Sequence, residues 1–405
     1  MLLNHDVRSL LKYASDYTDF LRAYAPISNE LLFQDIGLIQ QLISYCRANI
    51  KAYAAQNSEC YQNNDEIINK THLADKTKWY PEDSVQYLDT TTGGTTHNVR
   101  FGYRIWKDLY KTIEGINHYN LILEEFNISK PLNILYFGSN EINTADALIT
   151  QTKSRNVLIS HGAYSQAQIH TVNYGQLYFT DIYSFYEQII AYSILHNIDV
   201  ISCSGQEVAS LKWNLDRLKI NRRICSLISS TGCKTNISNL VELKSKGIID
   251  NWCDHMRCWD GGASFFTCKH HTYHLLDNLA FTHSIDGKLI CDDYFSLASP
   301  FVNYWNGDYA TIDEQYIRCK CGRAYRQFKL DRVRSTDMKI LSDSTTILQS
   351  LIDHDSPADI LRIATKAETI RIITSRSLTP ARKSNIARLF PSLLVLFTVE
   401  GPIDG

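Results

Sequence analysis

Apolar residues follow a helical period in the first part of the chain. Up to about residue 75, stretches such as 29–43 place apolar residues three or four positions apart, which predicts helices packed by one face. A threonine- and glycine-rich segment interrupts the pattern. Residues 104–126 then resume the helical spacing with a mixed charged face, which predicts a further helix.

The pattern changes after Pro131. Short apolar runs occur at 132–138, 157–160, 200–203 and 224–228, and their length and composition predict buried strands. Residues 207–218, between the last two runs, have helical spacing. Strands and helices that alternate in this way are typical of βαβ units in a largely parallel sheet. Beyond Asp260 the apolar runs are interrupted by loops and predict antiparallel strands.

A polar break near 334–337 precedes a different rhythm. The pattern there predicts helices at 346–352 and 359–365, a strand at 370–374, a helix at 381–390 and a strand at 393–399. The chain is therefore expected to be an α/β protein with two domains. A large N-terminal domain, 1–334, would contain mixed sheets with flanking helices, and a small α+β domain would span 335–405.

Charge and composition exclude several classes of protein. Lys and Arg number 41 against 43 Asp and Glu, a balance that creates no polycationic field for nucleic acid. The chain contains no run of about 18 apolar residues, so we expect no membrane span. Its N-terminus does not resemble a signal peptide, and eleven cysteines in such a chain favour thiols and metal ligands over disulfides. A cytoplasmic protein is expected.

Two adjacent glycines lie among threonines just before His97. Glycines let a loop bend and expose its backbone N–H groups, while hydroxyls add further donors, which suits phosphate oxygens. The candidate phosphate-binding residues are Thr91, Thr92, Gly93, Gly94, Thr95 and Thr96. The segment is not a Walker loop, because the Gly-Lys-Ser/Thr ending is absent. A polar surface turn is the competing interpretation.

An aromatic segment at 300–308 ends in Asn306-Gly307-Asp308. A strand that ends in a turn here would present the Asp308 carboxylate to a pair of ligand hydroxyls through charge-assisted hydrogen bonds. An ordinary hairpin turn is the competing interpretation.

Cysteine and histidine residues in the second half could bind a metal ion. Three thiolates and an imidazole match a tetrahedral zinc site, and the candidate set is Cys268, His274, Cys319 and Cys321. Basic residues beside the last two cysteines favour the thiolate form. The competing donors are His270, His271, Cys253 and Cys258, and free structural cysteines are the other interpretation.

In their order along the chain, these features resemble the adenylate-forming superfamily, in particular its phenylacetate-CoA ligase and coronafacate-ligase-like branch. Members of that branch have a Thr-Gly-Gly-Ser/Thr-Thr-Gly loop, an aromatic-Gly-x-Thr-Glu segment and a Pro-x-x-x-Tyr-x-x-Gly-Asp strand. Many also have a Cys-x-Cys-Gly-Arg turn before a hinge. The matching segments here are 91–96, 256–262, 300–308, 319–323 and 333–337, so the resemblance covers roughly residues 80–340.

The resemblance implies roles for single residues. The loop at 91–96 would hold the phosphates of ATP, Asp308 would hold the ribose, and Arg334 would lie at the hinge near the nucleotide. Asp260 would be the Mg²⁺-binding carboxylate, in a segment that departs from the family pattern at Met256, Arg257 and Trp259. Cys268, His274, Cys319 and Cys321 match the set that holds a structural Zn²⁺ in some members.

Two departures from the family pattern bear on catalysis. His97 stands where the loop usually has its last glycine. The family's catalytic lysine follows a strand near the end of the small domain, whereas here only residues 400–405 follow the strand predicted at 393–399. Lys383 is the nearest candidate for that lysine.

The resemblance implies ATP-dependent activation of a carboxylic acid, an aryl or amino acid, to an acyl-adenylate. A thiol or amine would then accept the acyl group, and coenzyme A, a carrier protein and an amino compound are the candidate acceptors. A homodimer is also considered. The alternative hypothesis is a catalytically reduced protein of the same fold that binds nucleotide as a partner subunit. The missing terminal lysine and the altered segment around Asp260 favour this alternative.

Overall fold

The computed structural model describes most of the 405-residue chain. The described ranges are 16–57, 67–69, 87–91, 101–105, 109–128, 133–137, 156–161, 168–171, 175–178, 182–231, 235–257, 264–297, 300–332, 360–366, 369–374, 377–391 and 394–399.

Helices and strands alternate through these ranges. The helices are α1, Tyr17–Tyr24; a 3₁₀ helix, Ala25–Phe33; α2, Ile36–Asn57; α3, Leu109–Glu125; α4, Ile182–Leu195; α5, Gly205–Arg217; α6, Ile237–Ser245; and α7, Pro380–Arg388.

The first ten strands are β1, Ile68–Asn69; β2, Tyr87–Thr91; β3, Phe101–Ile105; β4, Asn133–Phe137; β5, Asn156–His161; β6, Gln168–Thr171; β7, Gly175–Tyr178; β8, Ile198–Ser204; β9, Cys225–Thr231; and β10, Ile249–Arg257. The others are β11, Ser264–Thr267; β12, Tyr273–Leu275; β13, Ala280–Ile285; β14, Lys288–Asp293; β15, Tyr304–Arg318; β16, Ala324–Arg332; β17, Ile360–Lys366; β18, Thr369–Thr374; and β19, Leu394–Val399.

The chain divides into two compact units, and each contains two separate stretches of sequence. The first unit consists of Met1–Glu125 and Met256–Ser335, and the second of Phe126–His255 and Thr336–Gly405. The domain boundary predicted after residue 334 stays a prediction.

The first unit begins with the expected helices. Asp16 caps α1 by accepting a hydrogen bond from the Asp19 N–H at 2.7 Å, and the buried face of α1 includes Phe20 and Leu21. The helix predicted from residue 104 begins later, at Leu109, because residues 101–105 pair with β2 as strand β3.

A mainly antiparallel sheet follows in the first unit, and β1 joins it by parallel pairing with β15. Its strand order is β1-β15-β14-β13, and β16 also pairs with β15. The β13–β14 hairpin turns at Asp286 and Gly287, whose φ angles of 51° and 75° are typical of the tight turn that matches strand twist. The predicted antiparallel strands beyond residue 260 are confirmed.

A mainly parallel sheet forms the centre of the second unit. The order β10-β9-β8-β4-β5 is parallel throughout, and β6 and β7 extend it with antiparallel pairing. Ile201, Ile228 and Trp252 pack into one apolar core with Leu211 of α5 and Leu240 of α6. The α/β class predicted from the alternation of strands and helices is confirmed.

The C-terminal residues form a three-stranded sheet, β17-β18-β19, with α7. Ile370 and Ile372 of β18 pack with Ile386 of α7. The strands predicted at 370–374 and 393–399 and the helix at 381–390 are confirmed. The helix predicted at 346–352 lies outside the described residues.

The helix predicted at 359–365 is wrong, because residues 360–366 form strand β17. Ile363 pairs with Ile372 of the adjacent strand, and β-branched residues such as Ile360 and Thr365 fit a pleated surface better than a helix.

No helix in the described part of the chain has the length and apolar character needed to cross a membrane.

Candidate metal centre and candidate nucleotide-binding residues

Two turns in the first unit bring four metal-ligand side chains together. Cys268 directly follows β11, and His274 lies opposite Phe266 on β12. Cys319 and Cys321 lie in the turn that joins β15 to β16. The ligand atoms of these four side chains all lie within 4.8 Å of one another. We call these four residues the cysteine–histidine cluster.

A backbone N–H group in the turn after β11 points toward a sulfur atom of the cluster. The His270 N–H donates to Cys268 Sγ at 3.4 Å. The turn is closed by hydrogen bonds from the Cys268 N–H to the Thr272 carbonyl and from the His271 N–H to the Cys268 carbonyl. An N–H that donates to sulfur stabilises the thiolate, which is the form that binds metal ions.

The turn between β15 and β16 depends on a glycine. The Gly322 N–H donates to the Cys319 carbonyl at 2.9 Å, and the Cys319 N–H donates to the Arg323 carbonyl at 2.9 Å. Gly322 has a φ of +91°, and a Cβ there would come within 3.5 Å of the Phe33 ring. The conformation favours glycine, which places Cys319 and Cys321 on the same side of the turn.

The distances in the cluster match a tetrahedral zinc site. Cys268 Sγ lies 3.8 Å from Cys319 Sγ, and Cys321 Sγ lies 3.7 Å from His274 Nε2. With Zn–S near 2.3 Å and Zn–N near 2.0–2.1 Å, tetrahedral geometry separates two sulfurs by about 3.8 Å and sulfur from nitrogen by about 3.6 Å. The arrangement of the four side chains therefore fits zinc.

The competing donors lie elsewhere. Within the described residues, the cluster contains neither His270 nor His271, although both belong to the turn after Cys268. Cys253 is buried on β10, in the second unit, and Cys258 lies outside the described residues. The eight described cysteines are all free thiols.

The sulfur atoms of the cluster share charge unequally. The pKa of the Cys321 thiol is lowered, chiefly because Cys268 donates a hydrogen bond to it, with a further contribution from His274. The pKa of Cys268 is raised by the same contact and by burial. A cation bound by both sulfurs would take the place of the proton in the contact between them.

A buried carboxylate links both turns to α3. Glu125, the last residue of α3, accepts a hydrogen bond from the Lys269 N–H at 3.0 Å and forms an ion pair with Arg323. The Arg323 guanidinium lies 4.8 Å from the Phe33 ring centroid. Sequence reasoning missed Glu125, since 198 residues separate it from Arg323.

His274 is held by aromatic contacts on two sides. Its ring centroid lies 5.4 Å from that of Phe266 and 4.5 Å from that of Tyr325. Its Nε2 atom faces Cys321. Its Nδ1 atom is buried without a hydrogen-bond partner among the described residues.

Asp308 does not lie in the predicted turn. Strand β15 continues to Arg318, and residues 306–308 bulge out opposite Leu289, between the register pairs Ile290–Trp305 and Lys288–Tyr309. Gly307, with a φ of 105°, permits this bulge. Asp308 is 4% exposed, and its carbonyl accepts a hydrogen bond from Trp305 Nε1 at 2.9 Å.

The other predicted residues are described only in part. Thr91 ends β2 and pairs with Phe101 of β3, so the threonine–glycine segment connects two antiparallel strands. Lys383 lies on α7, with its ammonium 5.8 Å from the Phe397 ring centroid. The predicted residues outside the described ranges are Thr92, Gly93, Gly94, Thr95, Thr96, Asp260 and Arg334.

Polar side chains that sequence reasoning did not single out gather at the carboxyl ends of β9 and β10. Ser229 Oγ is hydrogen-bonded to His255 Nε2 at 2.8 Å. On the other side of the sheet, Thr235 is hydrogen-bonded to Ser230 and donates to Asp254 Oδ1 at 2.9 Å. The available signal was the change from apolar to hydroxyl residues at the end of each strand, as in Ile228-Ser229-Ser230.

Comparison with known proteins identifies the fold. No protein-family model matches the chain, and no curated protein matches its sequence. Its structure is similar to that of 2-hydroxyisobutyryl-CoA ligase in the postadenylation state with R3-HIB-AMP, with a TM-score of 0.58, 10% sequence identity, and coverage of 93% of this chain and 89% of that chain.

Two further structures of that ligase, both with 2-HIB-AMP and CoA, are similar to this chain. The one in the thioesterification state has a TM-score of 0.56 at 10% identity and covers 93% of this chain and 89% of that chain. An open conformation has a TM-score of 0.54 at 9% identity, and the coverages are 91% and 89%. The chain therefore has the fold of an adenylate-forming acyl-CoA ligase, as the resemblance in its sequence implied.

Proposed function

We propose that the chain is an ATP-dependent ligase that converts a carboxylic acid to an acyl-adenylate and passes the acyl group to an acceptor. The observation that carries this proposal is the extent of the fold similarity, which includes 93% of the chain and a ligase solved in its postadenylation state. Because one fold can host several functions, the proposal also needs support from individual residues.

In the proposed reaction, a carboxylate oxygen of the acid attacks the α-phosphorus of ATP. The bond from that phosphorus to the oxygen bridging to the β-phosphate breaks, and pyrophosphate leaves. The thiol or amine acceptor then attacks the acyl carbon, loses a proton and displaces AMP. Backbone N–H groups and hydroxyls of residues 91–96 would offset the negative charge on the phosphates. Mg²⁺ held at Asp260 would add to that charge stabilisation.

Asp308 supports the proposal through its place in β15. Bulges in strands re-aim side chains and are common next to active sites. A carboxylate there can accept hydrogen bonds from both ribose hydroxyls. We assign Arg334 to the hinge near the nucleotide and retain Lys383 as the candidate catalytic lysine.

The polar ends of β9 and β10 give further support. Open α/β sheets bind their ligands outside the carboxyl ends of their strands. The hydrogen-bonded pair Ser229–His255 and the chain Ser230–Thr235–Asp254 lie at those ends. Neutral and charged acceptors and donors are therefore available where a nucleotide or an acid would bind.

We also propose that Cys268, His274, Cys319 and Cys321 bind a structural zinc ion. Four protein ligands complete the coordination sphere and leave no open position for a substrate. The ion would hold the turn after β11 and the turn after β15 together. Among the acceptors we favour a thiol, and coenzyme A is the first to test because the similar ligase was solved with it. A cytoplasmic location and a homodimer stay predictions.

ATP–pyrophosphate exchange with a panel of carboxylic acids tests the proposed activity. We expect exchange with at least one acid, and a fall of about 10²-fold in kcat/KM for Asp308→Asn, because the neutral amide loses the charge-assisted bonds to ribose. Asp286→Asn is the matched control, since Asp286 lies exposed in a turn with a positive φ that asparagine tolerates.

Three outcomes separate the hypotheses. Exchange that Asp308→Asn abolishes or weakens supports the ligase. ATP binding by calorimetry without exchange for any acid favours the partner-subunit alternative. Neither ATP binding nor exchange overturns both.

A further inference from the structure

Polar side chains on one side of the parallel sheet gather at the ends of β8, β9 and β10. Ser202 is the register partner of Ser229, and Ser229 is the register partner of Cys253. His255 follows Cys253 by two residues, and alternate residues of a strand point to the same side of a sheet. Ser202, Ser229 and His255, which we call the strand-end cluster, therefore share one side of the sheet.

Ser202 is the exceptional member of the strand-end cluster. It is 1% exposed, and its Oγ has no hydrogen-bond partner among the described residues. An unsatisfied buried hydroxyl costs about 1–3 kcal/mol, and buried polar groups in native proteins are almost always paired. Because ligands of such sheets bind at the carboxyl ends of the strands, this hydroxyl lies where a ligand atom can complete its bonding.

We propose that the strand-end cluster is a subsite that binds a hydroxyl group of the acid substrate. The inference rests on the proposed ligase function and adds the class of acid, a hydroxylated one. A hydroxyl both donates and accepts hydrogen bonds, as do the two serine hydroxyls. It can therefore accept from Ser202 and donate to Ser229 in the same binding mode.

The charge of the cluster favours a neutral group. None of its three side chains carries a fixed charge, and burying a second carboxylate or an ammonium group of a substrate would require a charged partner. Asp254, the nearest acidic residue along β10, lies one position from His255 and therefore points to the other side of the sheet. On that other side its Oδ1 accepts a hydrogen bond from Thr235.

An acid without the hydroxyl would leave the buried Ser202 hydroxyl without a hydrogen-bond partner. Sites built to hydrogen-bond a substrate hydroxyl reject the analogue that lacks it by factors that reach about 10⁴. For neutral partners we expect a preference of about 10²-fold in kcat/KM.

The experiment compares pairs of acids that differ by one hydroxyl in ATP–pyrophosphate exchange. Suitable pairs are benzoate with each monohydroxybenzoate, and short alkanoic acids with their hydroxy derivatives. We expect the wild type to prefer a hydroxylated member. Ser202→Ala should reduce that preference about tenfold, through a higher KM for the hydroxylated acid with little change for the unsubstituted one.

Ser193→Ala is the matched control. Ser193 is also 1% exposed, and its Oγ also has no partner among the described residues, but it lies on α4 and not at a strand end. We expect Ser193→Ala to leave the preference unchanged. Ser229→Ala, which removes the bond to His255, provides a second test if Ser202→Ala does not fold.

Each outcome decides the inference. Loss of the preference in Ser202→Ala or Ser229→Ala, with the preference kept in Ser193→Ala, supports the subsite. Exchange without any preference for hydroxylated acids, or an equal preference in all variants, overturns the subsite and leaves the proposed ligase function intact. No exchange with any acid overturns the ligase function and the subsite together.

Discussion

The cysteine–histidine cluster of the first unit and the strand-end cluster of the second both form where strands end, yet their side chains are paired differently. Cys268 and Cys319 face each other at 3.8 Å, and Cys321 faces His274 at 3.7 Å. In the strand-end cluster, Ser229 and His255 are bonded to each other, while the Ser202 hydroxyl has no partner among the described residues.

This difference is the one expected between the proposed structural zinc site and the proposed substrate subsite. A closed set of four ligands suits an ion that stabilises the fold, because no position is left for a substrate. A cluster in which one buried hydroxyl lacks a hydrogen-bond partner lowers the stability of the protein until a ligand binds that hydroxyl. Such a trade-off between stability and activity is common at functional sites. The following predictions test the contrast, from the largest expected effect to the smallest.

Replacing two ligands of the closed cluster should have the largest effect. We expect Cys319→Ser combined with Cys321→Ser to remove bound zinc and lower the free energy of unfolding by about 4 kcal/mol or more. Metal analysis by mass spectrometry and urea denaturation measure the two effects. Cys291→Ser is the control, since Cys291 is buried in the same unit and donates to the Tyr304 carbonyl. Stoichiometric zinc in the double variant would contradict the ligand set.

The carboxylate that ties the cluster to α3 should have the next largest effect. We expect Glu125→Gln to lower the free energy of unfolding by about 3 kcal/mol, because Arg323 would stay buried without its ion-pair partner. Urea denaturation measures the change. In the control Glu187→Gln, the broken pair with Arg217 is exposed, with 47% and 28% of the side chains accessible, so the effect should be below about 1 kcal/mol. Equal effects in both variants would refute this role of Glu125.

His283 of β13 provides a pH-dependent test in the first unit. Burial lowers the pKa of His283 from 6.5 to about 4, with Asp292 opposing the shift and Arg47 adding to it. The unfolded chain therefore binds the proton more tightly, so stability should fall as the pH drops from 6.5 to 4.

We expect this loss to reach about 2 kcal/mol after allowance for partial solvent exposure. His283→Gln should remove that part of the pH dependence, measured as the difference between the two proteins in urea denaturation at several pH values. Identical pH profiles would show that His283 is protonated equally in both states.

The smallest effect contrasts two serines on neighbouring strands. Ser202→Ala should raise the free energy of unfolding in the absence of substrate by about 1 kcal/mol, because it removes an unsatisfied hydroxyl. Ser230→Ala should lower it by about 1 kcal/mol, because the Ser230 hydroxyl is bonded to Thr235. Calorimetric melting of the two variants measures the expected increase and the expected decrease in stability. A stability loss in Ser202→Ala would mean that its hydroxyl has an internal role.

Much of the fold could be predicted from the sequence because its strands are continuous apolar runs. The runs at 132–138 and 200–203 correspond to β4 and β8, since a strand buried on both faces has a nearly continuous run of apolar residues. Residues 359–365 were predicted wrongly because their spacing fits a helix, whereas pairing with β18 determines the structure. The local sequence pattern does not reveal a strand pairing whose partner strand lies elsewhere in the chain.

The candidate sites likewise contain residues that could be identified from the sequence and residues that could not. Cys319 and Cys321 could be found by sequence because their spacing defines one turn, and Cys268 and His274 could be found as a second closely spaced pair of metal-binding residue types. Glu125 could not be found, because an ion pair across 198 residues leaves no local pattern. Ser202 could not be found either, since the absence of a hydrogen-bond partner for a buried hydroxyl depends on the neighbouring groups in the folded structure.

The cysteine–histidine cluster has a further consequence for the unfolded chain. Cys268 and Cys319 are 51 residues apart, and the segment between them contains all of β12, β13, β14 and β15. An ion bound to both ends would close this segment into a ring, and a permanent cross-link of that length removes chain entropy equivalent to about 4 kcal/mol. Unlike a disulfide, such a cross-link would open whenever a chelator competes for the ion, so metal supply would set how readily this segment folds.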